Sequence, residues 1–352
     1  MTASLSLPLL ITMGDAAGIG PEIIAKAFQD APAALQGCLV VGDVGTLRRA
    51  AALTAGGGLP MPVAQLAALG DHVPLPPNCI GVLQRCEPLG AIRYGAVSGV
   101  AGQAAADCIA WAAKAVLAGE AGGMVTAPIH KEALAASGGW AAAFPGHTEL
   151  LQAEAAAFLG QSVAQLPVRM MLANDELKTV LVSIHLSLKD AIAAVTVDNV
   201  LQTLRITHRA VSASLGRAPH IGVAGLNPHA GEGGLFGSEE QTIITPAIAV
   251  ARAEGLQVSG PFAPDTVFMR ARHSGAKKGE FDVVVAMHHD QGLIPVKYLG
   301  VEQGVNVTLG LPLLRTSPDH GTAFDIAGQG TADASSLLAA IRMARALQAV
   351  SA

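Results

Sequence analysis

The stretch DVVVAMHHDQGLIPVK, residues 282–297, decides how the rest of the chain is read. An apolar, β-branched run reads as a buried strand. It stops in His288, His289 and Asp290, side chains suited to holding a metal or moving a proton. A strand apolar on both faces belongs inside a covered parallel sheet. Runs of the same kind recur at 9–13 (LLITM), 38–43 (CLVVGD), 123–128 (GMVTAP), 178–185 (KTVLVSIH) and 220–229 (HIGVAGLNPH). Helix-like segments lie between them. These include PEIIAKAFQD with proline in its first turn, an Ala-rich segment over about 101–118, and NVLQTLRITHRAVSASL. The alternation predicts an α/β fold with a mostly parallel sheet. Residues 55–100, richer in Gly and Pro, give no clear pattern, and there is no internal repeat or low-complexity linker.

A chain of 352 residues is long for one core and points to two lobes. With 51% hydrophobic and only 3% aromatic residues, the interior is filled by Ala, Val, Leu and Ile, which suits helices packed closely on sheets. The net charge is −5 and the 22 Lys and Arg form no basic run, which excludes nucleic acid as an expected partner. Mean hydropathy is high at +0.44, yet the window Ala105–Leu117 is interrupted by Asp107 and Lys114. No stretch reaches the ~18 uncharged apolar residues that a membrane span needs. The N-terminus lacks a basic leader region, so a soluble, cytoplasmic protein is expected. Cys38, Cys79, Cys86 and Cys108 show no CxxC spacing and read as reduced thiols.

Three of the late strands end near histidine: His185, His229, and the pair His288 and His289. In a parallel sheet the strand C-termini share one edge, where ligands bind. Three imidazoles from separate strands meeting there would leave one coordination position open for water or substrate. An all-imidazole set suits Zn, Co, Ni or Fe better than Mg or Ca. Each histidine taken alone is more often a hydrogen-bonded structural residue, and gaps of 44 and 60 residues match no short zinc motif. After His229, AGEGGLFGSEE reads as flexible backbone that either approaches a ligand or simply turns into a helix near Ser238. Asp265 and Asp290 read as orienting groups, bases or loop caps.

In FPGHTE, His147 and Thr148 fall at a predicted helix N-terminus, where free amides favour an anion. Lys297 and Arg315, each read as lying near a Gly-rich strand end, would add charge-assisted contacts to phosphate or carboxylate, or pair with an internal acid. GDAAGIGPE follows the first strand in place of G-x-G-x-x-G, and no P-loop occurs, so a nucleotide would bind by another route such as DHGTAFDIAGQGTAD (319–333).

GDAAGIGPE, TAPIHK, GHTE, IHLSL, GLNPHAGEGG, APDT, HHDQGLIPVK, GVNVTLGLPLLRTSPDHGTA and DIAGQGTAD occur in one order over residues 8–340. Together they closely resemble the 4-hydroxythreonine-4-phosphate dehydrogenase family. GIGPE and HGTAFDIAGQG also resemble motifs of the wider isocitrate and isopropylmalate dehydrogenase fold, a two-domain, three-layer architecture that uses NAD without the Rossmann motif. The resemblance implies one domain from 1–128 plus 298–352 on the cofactor side, and another at 129–297 for metal, substrate and dimerisation.

It further implies a divalent metal, zinc or else cobalt or magnesium, on His185, His229 and His289. Substrate contacts are implied for His147, Thr148, Lys297, Asn306 and Arg315. In the mechanism expected from these residues a bound water or Asp265 is the base, and Lys297 protonates or orients the intermediate. NAD or NADP would meet Gly18, Gly20, His320, Gly321, Asp325 and Gly328. The family acts as a homodimer with a shared active site, in pyridoxal phosphate (vitamin B6) biosynthesis. The implied reaction is oxidation and decarboxylation of 4-phosphohydroxy-L-threonine to 3-amino-2-oxopropyl phosphate. A relative using D-threonate or D-erythronate 4-phosphate, or an aromatic cis-dihydrodiol carboxylate, is the alternative. Two positions depart from the family pattern: His288 stands where it usually has tyrosine, and Ala16 where it has proline.

Overall fold

The structure is a computed structural model that describes residues 7–72, 75–76 and 78–351. Twelve strands occur among these residues: β1 (Leu9–Thr12), β2 (Cys38–Gly42), β3 (Val63–Leu66), β4 (Ile80–Gln84), β5 (Gly123–Thr126), β6 (Arg169–Ala173), β7 (Lys178–Leu181), β8 (Ile221–Ala224), β9 (Val258–Phe262), β10 (Val283–Ala286), β11 (Val305–Leu309) and β12 (Arg315–Pro318). The chain separates into two compact units, residues 1–167 with 311–348, and residues 168–310 with 349–352.

In the first unit the strand order is β3-β4-β2-β1-β5-β12, and every pair is parallel. β1, β2 and β5 are buried along their whole length, which is what runs apolar on both faces require. The Ala-rich helix Gly99–Leu117 packs on β1, β2 and β5, and its small side chains allow that close approach. In the second unit the order is β11-β6-β7-β10-β8-β9. Here β6 runs antiparallel to both neighbours, while β7, β10, β8 and β9 are parallel. The expected α/β fold with mostly parallel strands is therefore what forms. Val283–Ala286 is fully buried, and each of its valines is worth about 1.5–3 kcal/mol in transfer from water.

The units divide at 167/168 and 310/311, not at 128/129 and 297/298 as the resemblance implied. Packing explains both shifts. The helices Lys131–Ala135 and His147–Leu159 pack on Gly99–Leu117, which keeps 129–167 in the first unit. β11 is hydrogen bonded antiparallel to β6, which keeps 298–310 in the second. All four cysteines are free thiols, Cys38 and Cys108 buried. Among the described residues no helix is long and apolar enough to cross a membrane.

Candidate active site

In the second unit the C-terminal ends of β7, β10 and β8 lie side by side. The strands stop at Leu181, Ala286 and Ala224, so the histidines lie beyond them: His185 on the loop after β7, His229 in the turn after β8, and His289 at the start of the helix after β10. His185 adopts φ 43°, left-handed backbone that a non-glycine residue enters only at a cost. Its ring faces that of His289, with centroids 5.8 Å apart. Ser183, His185, Leu186, His288, His289 and Asp290 line the hollow around them. His289 Nδ1 is 2.7 Å from Asp290 Oδ1, an arrangement that would leave Nε2 as the nitrogen for a metal. Hydrogen bonding to His289 holds the Asp290 carboxyl below its usual range.

His288 does different work. It caps the helix His289–Tyr298, its Nδ1 accepting the Gln291 amide at 3.4 Å. Burial keeps its ring below the ordinary histidine pKa, in favour of the neutral form that a cap needs.

His229 opens a segment in which five consecutive residues, His229 to Gly233, have φ between 43° and 79°. Each non-glycine residue costs about 1–2 kcal/mol in that conformation. Glu240, 3% exposed, steadies the approach to this turn. Its Oε1 accepts the amides of Leu226 and Asn227, both at 2.7 Å. Gln291 ties the two regions together, taking the Met287 amide at 2.7 Å and donating to the Gly225 carbonyl at 2.8 Å. The helix expected near Ser238 begins as a π-helical turn, Glu240–Ile244, before Thr245–Ala253.

Two of the three expected metal ligands are thus brought together. Among the described residues no group of three or more His, Cys, Asp or Glu side chains is placed to hold a metal ion. The donor chemistry of His185 and His289 fits a divalent metal.

His147, Thr148 and Arg315, the residues expected to meet an anion, lie in the first unit. The helix His147–Leu159 starts where GHTE predicted, with Gly146 as its N-cap. Arg315, the first residue of β12, is 4% exposed, and its Nε and Nη2 both donate to Thr126 Oγ1, at 3.0 and 2.7 Å. Burial lowers its pKa to about 10. Burial, and then the Arg315 charge, push the His147 ring well below its ordinary value, and its buried Nε2 has no hydrogen-bond partner. A guanidinium in a water-poor site is suited to an anion.

The glycine loop after β1 packs on the loop after β12. A Cβ on Gly18 would lie 2.8 Å from Thr322 Cβ, and one on Gly20 would lie 2.5 Å from the Met13 carbonyl oxygen. The Ile19 amide donates to the Thr322 carbonyl at 3.0 Å. Glu22, 1% exposed, accepts the amides of Gly328 and Gly330 at 2.5 and 3.0 Å. His320 Nδ1 is 3.0 Å from the Gly321 carbonyl oxygen, while Gly321 and Asp325 are exposed. The loops expected to meet a dinucleotide are thus adjacent.

Other expected residues are placed differently. Lys297 is exposed in the last turn of the helix His289–Tyr298, not at a strand end. Asn306 is on β11, opposite Leu172. Asp265 is exposed in the first turn of Pro264–Ala271. Glu22, Thr126, Glu240 and Gln291 escaped the sequence reading, although each lies inside or beside a quoted motif.

Residues 34–344 match the family model "Pyridoxal phosphate biosynthetic protein PdxA". A 4-hydroxythreonine-4-phosphate dehydrogenase of Beijerinckia indica is 51% identical over 350 residues, 97% of this chain and 95% of the relative. A D-threonate 4-phosphate dehydrogenase of Cupriavidus necator is 44% identical over 343 residues, 96% of each. The crystal structure of 4-hydroxythreonine-4-phosphate dehydrogenase from Klebsiella pneumoniae superimposes with a TM-score of 0.84 at 39% identity, covering 97% of this chain and 100% of that one. On the family match and these identities, this chain belongs to the PdxA family of pyridoxal phosphate biosynthetic proteins.

Proposed function

We propose that the protein catalyses the NAD(P)-dependent oxidation of 4-phosphohydroxy-L-threonine, with decarboxylation to 3-amino-2-oxopropyl phosphate. The observation that carries this reading is the buried Arg315 beside His147, whose Nε2 lacks a partner. That pair suits a phosphate, and the relatives' names specify phosphorylated hydroxy acids. Arg315, His147 and the helix N-terminus at Thr148 grip the phosphate. Remote binding energy then orients the reacting carbon. His185, His229 and His289 would hold a divalent metal, zinc by donor type, in an active site shared between the two copies of a homodimer. Such a metal supplies Lewis acidity that lowers the pKa of the substrate's secondary hydroxyl. Asp265 takes up that proton, and Lys297 Nζ returns one to the carbon left by carbon dioxide. Asn306 contacts the substrate, and the loops at Gly18–Gly20 and His320–Gly328 receive the dinucleotide.

D-threonate 4-phosphate is the second reading. It carries the same phosphate and a carboxylate, and a relative of that name is 44% identical. The two are separated by following NADH formation with each substrate, in chelator-treated protein before and after zinc is restored, beside His229→Ala. Metal-dependent turnover of 4-phosphohydroxy-L-threonine that disappears in His229→Ala supports the proposal. Turnover of D-threonate 4-phosphate alone would reassign the substrate and leave the site intact.

A further inference from the structure

We propose that Thr126 is a positioning residue for the substrate's phosphate, acting through Arg315; this rests on the phosphate reading above. Thr126 is the last residue of β5 and is fully buried. Arg315 sits opposite Met124 in the parallel pairing of β12 with β5, two positions before Thr126. Residues two apart on a strand share a face, so the Arg315 side chain runs along β5 toward its C-terminal end. There the Thr126 hydroxyl oxygen accepts from Nε at 3.0 Å and from Nη2 at 2.7 Å. Two bonds from one edge of the guanidinium to one oxygen fix the plane of the group as well as its position. The next residue, Ala127, is hydrogen bonded through its backbone to the His147 ring. The end of β5 therefore orients both side chains assigned to the anion, and the fork of a guanidinium recognises phosphate only when its plane is correctly set.

TAPIHK thus has a reason for its threonine. Valine fills the same volume and suits a buried strand better, but has no oxygen to accept from Arg315. Serine keeps the oxygen.

The test compares Thr126→Val, Thr126→Ser and Arg315→Ala. The readouts are KM and kcat for the phosphorylated substrate and competitive inhibition by inorganic phosphate. We expect Thr126→Val to raise KM and the phosphate inhibition constant on the order of tenfold while kcat changes little, the signature of lost ground-state binding. Thr126→Ser should stay within about threefold of wild type. Thr126→Ala, which also removes the oxygen, repeats the measurement if valine prevents folding. If Arg315→Ala leaves inhibition by phosphate unchanged, the phosphate reading itself fails. If Arg315→Ala weakens it and Thr126→Val does not, or if serine fails to restore it, the role of Thr126 is overturned while the phosphate site stands.

Discussion

Both carboxylate oxygens of Glu240 are hydrogen bonded to Asn227: Oε1 accepts its backbone amide at 2.7 Å and Oε2 accepts from Nδ2 at 3.0 Å. Glu240 Oε1 also takes the Leu226 amide, so the carboxylate holds the chain just before the left-handed turn at His229. Glu240→Ala leaves the part-buried amides of Leu226 and Asn227 without this acceptor, and a charge-assisted bond of this kind is worth about 1.5–3 kcal/mol. Urea unfolding should show a loss of that order, with faster amide exchange concentrated at residues 226–233. Uniform exchange across the unit would refute the local role. Gly231→Ala should act at the same place, because its Cβ would fall 2.6 Å from Glu240 Oε2.

Asp290 should matter to metal and little to folding. Its carboxylate fixes the His289 ring, and loss of such partners commonly weakens metal binding 10–100-fold. Calorimetric zinc titration of Asp290→Asn should show about that loss with an unchanged melting temperature. Unaltered zinc affinity would remove Asp290 from the site.

His147 gives stability a defined pH dependence. Its native ring resists protonation through burial and the Arg315 charge, whereas the unfolded ring titrates near its ordinary value of about 6.5. Below that value the unfolded state binds the extra proton, so stability rises with pH and falls on acidification through about 6.5. Each pH unit over which the native ring stays neutral costs up to about 1.4 kcal/mol. Denaturant unfolding between pH 7.5 and 5, chosen to span about that value, should show a shallower acid-side decline in His147→Gln than in wild type. Equal slopes would mean that His147 does not contribute.

Glu22→Gln replaces one acceptor oxygen with a donor facing a glycine amide, at either Gly328 or Gly330. The loop should loosen, raising KM for NAD several-fold while zinc affinity and inhibition by phosphate hold. An unchanged KM for NAD would separate this loop from the cofactor.

Much of this was legible in the sequence, and the misses have physical causes. The strands were visible because burial on both faces leaves unbroken Val, Leu and Ile. Their ends were overshot because polar residues such as Ser183 and Asn227 continue the pattern into the loops. Lys297 was misplaced because Pro295 argues against a helix, yet lies within His289–Tyr298. His147 and Arg315 were found as unusual residue types in apolar or capping context. Glu22 and Thr126 were not, because their partners lie 306 and 189 residues away and only the folded sheet brings them near.

β12 also fixes an order of assembly. The first unit is built from segments on both sides of the second, and Arg315 arrives on β12, which is made after the whole of 168–310. During synthesis residues 168–310 emerge as one uninterrupted piece, while the 1–167 sheet waits with the flank of β5 unpaired. A chain halted at Gly310 should therefore yield a protease-resistant core from 168–310 and an N-terminal portion that is readily cut. Equal resistance of both portions would show that β5 does not depend on its late partner. On the phosphate reading, substrate capture is then a property gained only after β12 has joined the first sheet.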